Sequence, residues 1–311
     1  MNSTPVIDMF SGTGELAMAV TRALHESTSL VSFSDNYGPA RKYLHKRFPG
    51  IEVCKDFRDQ IVPEGSIVTN GAPCQDLSVA SKHTGADRGS GTRSSLIHEA
   101  LDMAVAGGAD LIIAENVPRG HSTYLALADW LAREHGYRTT VSSAGAWEIG
   151  APHRRERIML VAARRRFDVH HLNVVHQVAP ACLLPTPSVV DRAWGLTREQ
   201  WDGVKRRYRE KHRNGNGYGE TIASVLLRDL EDAEIRLIQT WETVTGIYAP
   251  PTGRTCQFMH WMMGLHPRLP DALGLSVSAQ RRLAGNAVVG LQARLMLQRG
   301  LTATNDTKGN L

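Results

Sequence analysis

Val6-Ile-Asp-Met-Phe-Ser-Gly-Thr-Gly14 decides the fold. The apolar run at 6–9 is strand-sized, and Phe10-Ser-Gly-Thr-Gly14 is a Gly-rich turn that opens the helical stretch 16–24. Backbone N–H groups at such a turn can meet a ligand, although tight strand–helix turns also use Gly for steric reasons. Working outward, the spacing predicts a strand at 30–34, a helix at 39–48, strands at 67–70, 111–115 and 158–163, and a helix at 95–106. Strands alternating with helices point to a doubly wound α/β domain with a mostly parallel sheet. Ligands in such sheets sit outside the carboxyl ends of the strands, so the residues just after each strand are the ones to read.

The chain has 311 residues, enough for about two domains at roughly 100–200 residues each. A hydrophobic fraction of 42% supports a core and excludes wholesale disorder. No run approaches the ~20 apolar residues of a membrane span, and the N-terminus carries no basic stretch of a signal peptide. The four cysteines, Cys54, Cys74, Cys182 and Cys256, form no CxxC pair, so neither a disulfide framework nor a zinc site is expected. The expectation is a soluble, reduced, intracellular protein. A net charge of +5 is only a weak pointer to nucleic acid.

From about Val169 the texture changes. Pro180, Pro185 and Pro187 interrupt the chain, and Thr197-Arg-Glu-Gln200 has the pattern of a capping box opening a basic helix through Lys205-Arg-Arg-Tyr-Arg-Glu-Lys211. A second helix is expected at 221–245 and a last apolar-periodic stretch at 279–297. This organisation reads as residues 1–168 forming the α/β domain, 169–266 a smaller irregular insert, and 267–311 a segment returning to the α/β domain.

The residues after the strands carry chemistry. Asp35 follows the second strand, where an acid can bind ribose hydroxyls, and Asp56 follows the third. Asn70-Gly-Ala-Pro-Cys-Gln75 presents Cys74 at a strand-to-loop corner, a place for a nucleophile, although a lone Cys is commonly a small buried hydrophobe. Glu115 sits on a buried apolar run, costly unless it has a partner or a task. Arg155 and Arg157, two apart before the last strand, are expected to share a face and point into one site.

The ordered segments Asp8-Met-Phe-Ser-Gly-Thr-Gly14, Gly71-Ala-Pro-Cys-Gln-Asp-Leu-Ser78, Glu115-Asn-Val117, Gly150-Ala-Pro-His-Arg-Arg-Glu-Arg157 and Gly285-Asn-Ala-Val288 together resemble the motif set of DNA (cytosine-5) methyltransferases. The stretch Arg254–Pro267 is similar to the motif that closes that family's recognition domain, and the compact size resembles prokaryotic and phage members. The resemblance implies a Rossmann-like, S-adenosylmethionine-dependent methyltransferase fold with a target-recognition domain in the insert. It implies Cys74 as nucleophile toward carbon 6 of cytosine, and Glu115 on ring nitrogen 3. Arg157 would contact the exocyclic oxygen with Arg155 in support, and Asn116 would hold the site's backbone.

For the cofactor, the resemblance implies Phe10 packing on adenine, Gly12, Thr13 and Gly14 beside the methionine part, and Asp35 on the ribose. Asp56 would lie at the adenine amino group, with Leu96 and Asn286 completing the pocket. The implied partner is double-stranded DNA carrying a flipped-out cytosine, with Gln75 and Ser78 near the base and phosphate. Arg206 and Arg207 of the basic helix, together with the run Arg164-Arg-Arg166, suit phosphate contacts. No metal is expected: His170, His171 and His176 lack partnering ligand spacing. A monomer in the cytoplasm of a bacterial host, as part of a restriction-modification system, completes the expectation. Methylation of cytosine in tRNA, or a silent DNA-binding relative, are the alternatives.

Three departures from the family pattern stand out. Glu15 replaces a second Gly, so its carboxylate either faces the methionine end of the cofactor or is an exposed acid favoured by the helix dipole. His153 replaces a Gln, and Asp35 a longer Glu.

Overall fold

The computed structural model describes residues 3–73, 93–188, 195–211 and 221–306. Cys74, Gln75 and Ser78 lie outside the described residues. The chain divides into two compact units: Met1–Gly145 with Glu156–Asn173 and Val288–Leu311, and Ala146–Arg155 with Val174–Ala287. These boundaries follow packing, so residues 267–287 belong with the second unit, and not with the segment that returns to the first.

The first unit contains β1 (Thr4–Met9), α1 (Glu15–Ala23), β2 (Thr28–Ser34), α2 (Gly38–Arg47), β3 (Glu52–Cys54), β4 (Ile67–Asn70), α3 (Arg93–Ala106), β5 (Leu111–Asn116), α4 (His121–His135), β6 (Arg138–Gly145) and β7 (Glu156–Ala163). The second contains α5 (Arg198–Lys211), α6 (Ile222–Val225), α7 (Asp232–Thr245), α8 (Thr255–Met262), α9 (Leu269–Ala272) and α10 (Val277–Asn286); α11 (Gly290–Asp306) belongs to the first again.

The strands form one seven-stranded sheet in the order β3-β2-β1-β4-β5-β7-β6. Strands β1 to β5 pair in parallel, whereas β7 is antiparallel to both β5 and β6. The sheet is therefore mixed, and β6 and α4 are additions to the elements that the sequence spacing predicts.

Period-two alternation assigns the faces. Ile112, Ala114, Leu160 and Ala162 pack in one cluster with Ile97 and Leu101 of α3 and Tyr124, Leu127 and Leu131 of α4. On the other face a Cβ added to Gly300 of α11 would stand 2.6 Å from Val161 Cγ2, so α11 lies directly on the strand. Strand β5 is buried along its whole length, which explains its unbroken apolar start; each of its Leu and Ile side chains contributes roughly 1.5–3 kcal/mol by burial. The carboxyl ends of parallel β1, β4 and β5 share one edge of the sheet, where β4 ends in Asn70 and β5 in Glu115 and Asn116.

In the second unit the Thr197 box closes as predicted. The Gln200 N–H donates to Thr197 Oγ1 at 3.3 Å, and the Thr197 N–H donates to Gln200 Oε1 at 2.8 Å. The expected helix at 221–245 is two helices instead. Arg228 forks onto Glu234 at 2.7 and 2.8 Å, and the Glu231 N–H donates to the same carboxylate at 2.9 Å, so a new cap starts α7. The stretch 279–297 is likewise broken, because Ala287 is extended and ends α10 before α11 begins. The core of the unit holds Trp201, Trp241 and Trp261 fully buried, with Trp241 Nε1 donating to the Trp261 carbonyl at 3.0 Å.

Candidate active site

The turn after β1 is tied to its neighbours by backbone and hydroxyl groups. Ser11 Oγ donates to the Asp8 carbonyl at 2.8 Å and accepts the Ser34 N–H at 3.0 Å, which locks the ends of β1 and β2 together. Gly14 has φ +75°, and a Cβ there would stand 2.8 Å from Phe48 Cε2, so the turn needs glycine on both counts. Gly12, at φ +55°, has nothing within 4 Å of its Cβ position. Its N–H donates to Asp35 Oδ2 at 2.8 Å, and the Tyr37 N–H donates to Oδ1 at 2.8 Å. Asp35 thus braces the turn from the end of β2.

Phe10 adopts φ +57° and lies against Phe57 at a ring-centroid distance of 4.8 Å. Leu96 packs on the same cluster, and Phe57 is a neighbour that no sequence motif names. Asp56 caps the turn that carries Phe57 and pairs with Arg58 at 3.1 Å. The open side of Gly12, the aromatic pair and the acid after β2 fit an adenosyl group carrying a charged amino-acid arm. Thr13 Oγ1 is buried with no hydrogen-bond partner among the described residues. Asn286 ends α10 in the second unit, exposed to solvent.

At the ends of β4 and β5 a second group of residues forms. Asn70 Oδ1 accepts the Ala72 N–H at 2.8 Å, and Asn116 Nδ2 donates to the Ala72 carbonyl at 3.3 Å. Both amides therefore fix the backbone two residues before Cys74. Glu115 is 8% exposed, and Arg157 Nε lies 2.9 Å from its Oε1. The Tyr124 hydroxyl donates to the Glu115 carbonyl at 3.0 Å. This buried pair is what β5 and antiparallel β7 bring together.

Arg155 departs from the expectation. Strand β7 starts only at Glu156, and Arg155 has φ +20°, so the period-two alternation does not reach it. Its guanidinium donates to the Ala287 carbonyl at 2.6 Å and the Gly285 carbonyl at 3.2 Å, within the second unit. His153 is fully buried, with Nε2 3.0 Å from the Met262 carbonyl.

Glu15 is not the exposed acid of the second expectation: it is 5% exposed and ion-paired with Arg47. The Arg164-Arg-Arg166 run has contacts of its own within the chain. Arg164 lies over the Tyr137 ring, Arg165 bridges Glu26 and Asp110 at 2.8 Å each, and Arg166 pairs with Asp168 at 3.1 Å. Arg206 and Arg207 remain exposed on α5, beside a groove lined by Leu196, Gln200 and Val204. A separate surface cavity of about 530 Å³ is lined by His25, Arg166, Asp168 and Asn305 among others, and of the candidate residues it holds Arg166.

Two further groups, buried Asp8 and partly buried Cys256, are shifted from their ordinary values. Burial pushes the Asp8 carboxyl up to about 7, aided by the charge of Asp35 and opposed by hydrogen bonds from Thr69 and Ser11. Its place between Ile7 and Met9 on a buried strand is the same signal that singles out Glu115. Burial, with Asp271 nearby, pushes the Cys256 thiol up to about 11, so this cysteine is no thiolate nucleophile at neutral pH. Among the described residues no group of three or more His, Cys, Asp or Glu could hold a metal, and no helix is long and apolar enough to cross a membrane.

The sequence profile of the C-5 cytosine-specific DNA methylase family matches residues 4–247, and the chain belongs to that family. It is 31% identical over 171 residues to the Type II methyltransferase M2.BsuMI of Bacillus subtilis, a match covering 51% of this chain and 41% of that protein. Its match to the Type II methyltransferase M.NlaX of Neisseria lactamica is 26% identical over 329 residues and covers 97% of this chain and 99% of that one. The chain thus spans less than half of the first relative and nearly all of the second. Among solved structures, the Entamoeba histolytica methyltransferase EhMeth shares the fold at TM-score 0.57 and 17% identity, covering 99% of this chain and 100% of that one.

Proposed function

We propose that this chain methylates carbon 5 of cytosine in duplex DNA, using S-adenosylmethionine. The observation that carries the reading is the buried Glu115–Arg157 pair beside the Asn116 amide, which holds the backbone leading to Cys74. Cytosine inside a duplex cannot reach such a site, so the base is flipped out at a cost of a few kcal/mol.

Carbon 5 of cytosine is a poor nucleophile. Addition of the Cys74 thiolate to carbon 6 makes the ring an enamine, and Glu115 at ring nitrogen 3 stabilises the displaced charge. Arg157 orients Glu115 and holds the exocyclic oxygen. Once carbon 5 carries the methyl group, its proton leaves to a base and the bond between carbon 6 and Cys74 sulfur breaks, returning the thiolate. S-adenosylmethionine, when bound, supplies that methyl group from its sulfonium. Phe10, Gly12, Thr13, Gly14, Asp35, Asp56, Leu96 and Asn286 are the residues assigned to hold it.

In the second unit, Arg206 and Arg207 are assigned to phosphate contacts, and Arg155 to bracing the backbone at 285–287. The similarity to Type II methyltransferases supports action on DNA in a bacterial cytoplasm, within a restriction-modification system. The test is base-resolution methylation mapping of host DNA after expression, paired with methyl transfer in vitro to duplex DNA and to tRNA. Methylcytosine at one recurring sequence supports the reading; transfer to tRNA alone, or none, overturns it.

A further inference from the structure

Glu15 occupies the first turn of α1, immediately after the Gly12–Gly14 turn, yet its carboxylate is turned away from solvent. Three structural groups meet there. Arg47, from the last turn of α2, forms the ion pair, and the same Arg47 Nη1 donates to the Thr13 carbonyl at 3.2 Å. Gly290, the first residue of α11, presents its backbone so closely that an added Cβ would stand 2.8 Å from Glu15 Oε2. The carboxylate thus lies where the N-terminal ends of α1 and α11 converge, a place that favours negative charge. Tyr43, one turn before Arg47, is fully buried beside the pair.

Each link has a separate consequence. Without Glu15, Arg47 would be a partly buried cation left with the Thr13 carbonyl, Tyr43 and the Phe48 ring, so the hydrogen bond to Thr13 would lose its charged anchor. Without Arg47, Glu15 would be a buried anion facing only helix ends. The atom nearest the Gly290 Cβ position is Glu15 Oε2, the end of a side chain that Arg47 holds in place, so a residue larger than glycine there would press on the carboxylate.

We propose that Glu15 and Arg47 are positioning residues for S-adenosylmethionine: they fix the Thr13 carbonyl and tie the cofactor turn to the start of α11. This inference rests on the cofactor reading above. It places no side chain of Glu15 or Arg47 on the cofactor; both act through the backbone of the turn.

The test measures S-adenosylmethionine binding by calorimetry on the full chain, with steady-state KM and kcat on duplex DNA. Glu15→Gln should weaken S-adenosylmethionine binding and raise its KM by about tenfold, the scale of one charge-assisted hydrogen bond. The kcat and the KM for DNA should stay within about twofold. Gly290→Ala should weaken cofactor binding in the wild-type background and have no effect in a Glu15→Gly, Arg47→Met background, because the atom it collides with is gone. Unchanged cofactor affinity in Glu15→Gln, with only a lowered melting temperature, would overturn the positioning role. So would an equal Gly290→Ala effect in both backgrounds. Failure of the unaltered chain to bind S-adenosylmethionine would instead overturn the cofactor reading, and this proposal with it.

Discussion

Arg157 Nε stands 2.9 Å from Glu115 Oε1, on two antiparallel strands where Glu115 faces Met159 and Asn116 faces Ile158. An acid at the buried end of an apolar strand needs a partner, and β7 delivers a guanidinium by running against its neighbours. The contact fixes the position of the Glu115 carboxyl between two rigid strands.

Glu115→Gln should therefore lower kcat by about 10²–10³-fold, the range for loss of one preorganised electrostatic contact. The KM for S-adenosylmethionine should stay within about twofold, because the cofactor turn lies on other strands. Arg157→Met removes the guanidinium beside the buried Glu115 carboxyl and should also lower the stability of the fold. Steady-state kinetics and urea melts separate the two effects.

Asn116→Ala removes the donor to the Ala72 carbonyl. It should reduce kcat by about tenfold or more while leaving cofactor affinity intact, since a misplaced nucleophile costs rate more than binding. Calorimetry with the cofactor alone checks the second half of that expectation.

The pH dependence of stability should have two opposed components. Asp8 titrates near 7 in the folded chain against an ordinary 3.8, so its protonated form contributes stability that is complete below about pH 4 and is lost as pH rises to 7. Relative to wild type, Asp8→Asn should gain stability across that window, at up to about 1.4 kcal/mol per pH unit. Urea midpoints at pH 4.5, 5.5 and 6.5, all about one unit apart, measure the trend.

His260 behaves in the opposite sense. Burial pushes its imidazole down to about 4 from 6.5, and its Nε2 lies 2.9 Å from the Gln280 carbonyl. Its contribution is present above about pH 6.5 and is lost as pH falls toward 4, because the unfolded chain takes up the proton first. His260→Asn should narrow its deficit against wild type as pH falls through that window.

Much of this was legible from residues whose neighbours are close in sequence. The strands at 67–70 and 111–116 announce themselves by apolar runs, and the Thr197 cap by its spacing. What sequence hid depends on partners far along the chain. Glu15 finds Arg47 thirty-two positions away, so its burial leaves no local signature. Arg155 loses its place in the alternation through one backbone angle. The helix expected at 221–245 divides because Glu234 serves both Arg228 and a cap. The sheet's antiparallel edge is set by the return of the chain through the second unit at 146–155, which no periodicity encodes.

The most direct test of the central claim is covalent trapping. Duplex DNA carrying 5-fluorocytosine at the methylated position, incubated with the chain and S-adenosylmethionine, cannot lose the carbon 5 substituent and should hold the enzyme as a denaturation-resistant adduct. Mass spectrometry should place that adduct on Cys74, and Cys74→Ser should abolish it while Cys256→Ser leaves it intact. An adduct that survives Cys74→Ser, or none with the unaltered chain on its own methylated sequence, would contradict the account.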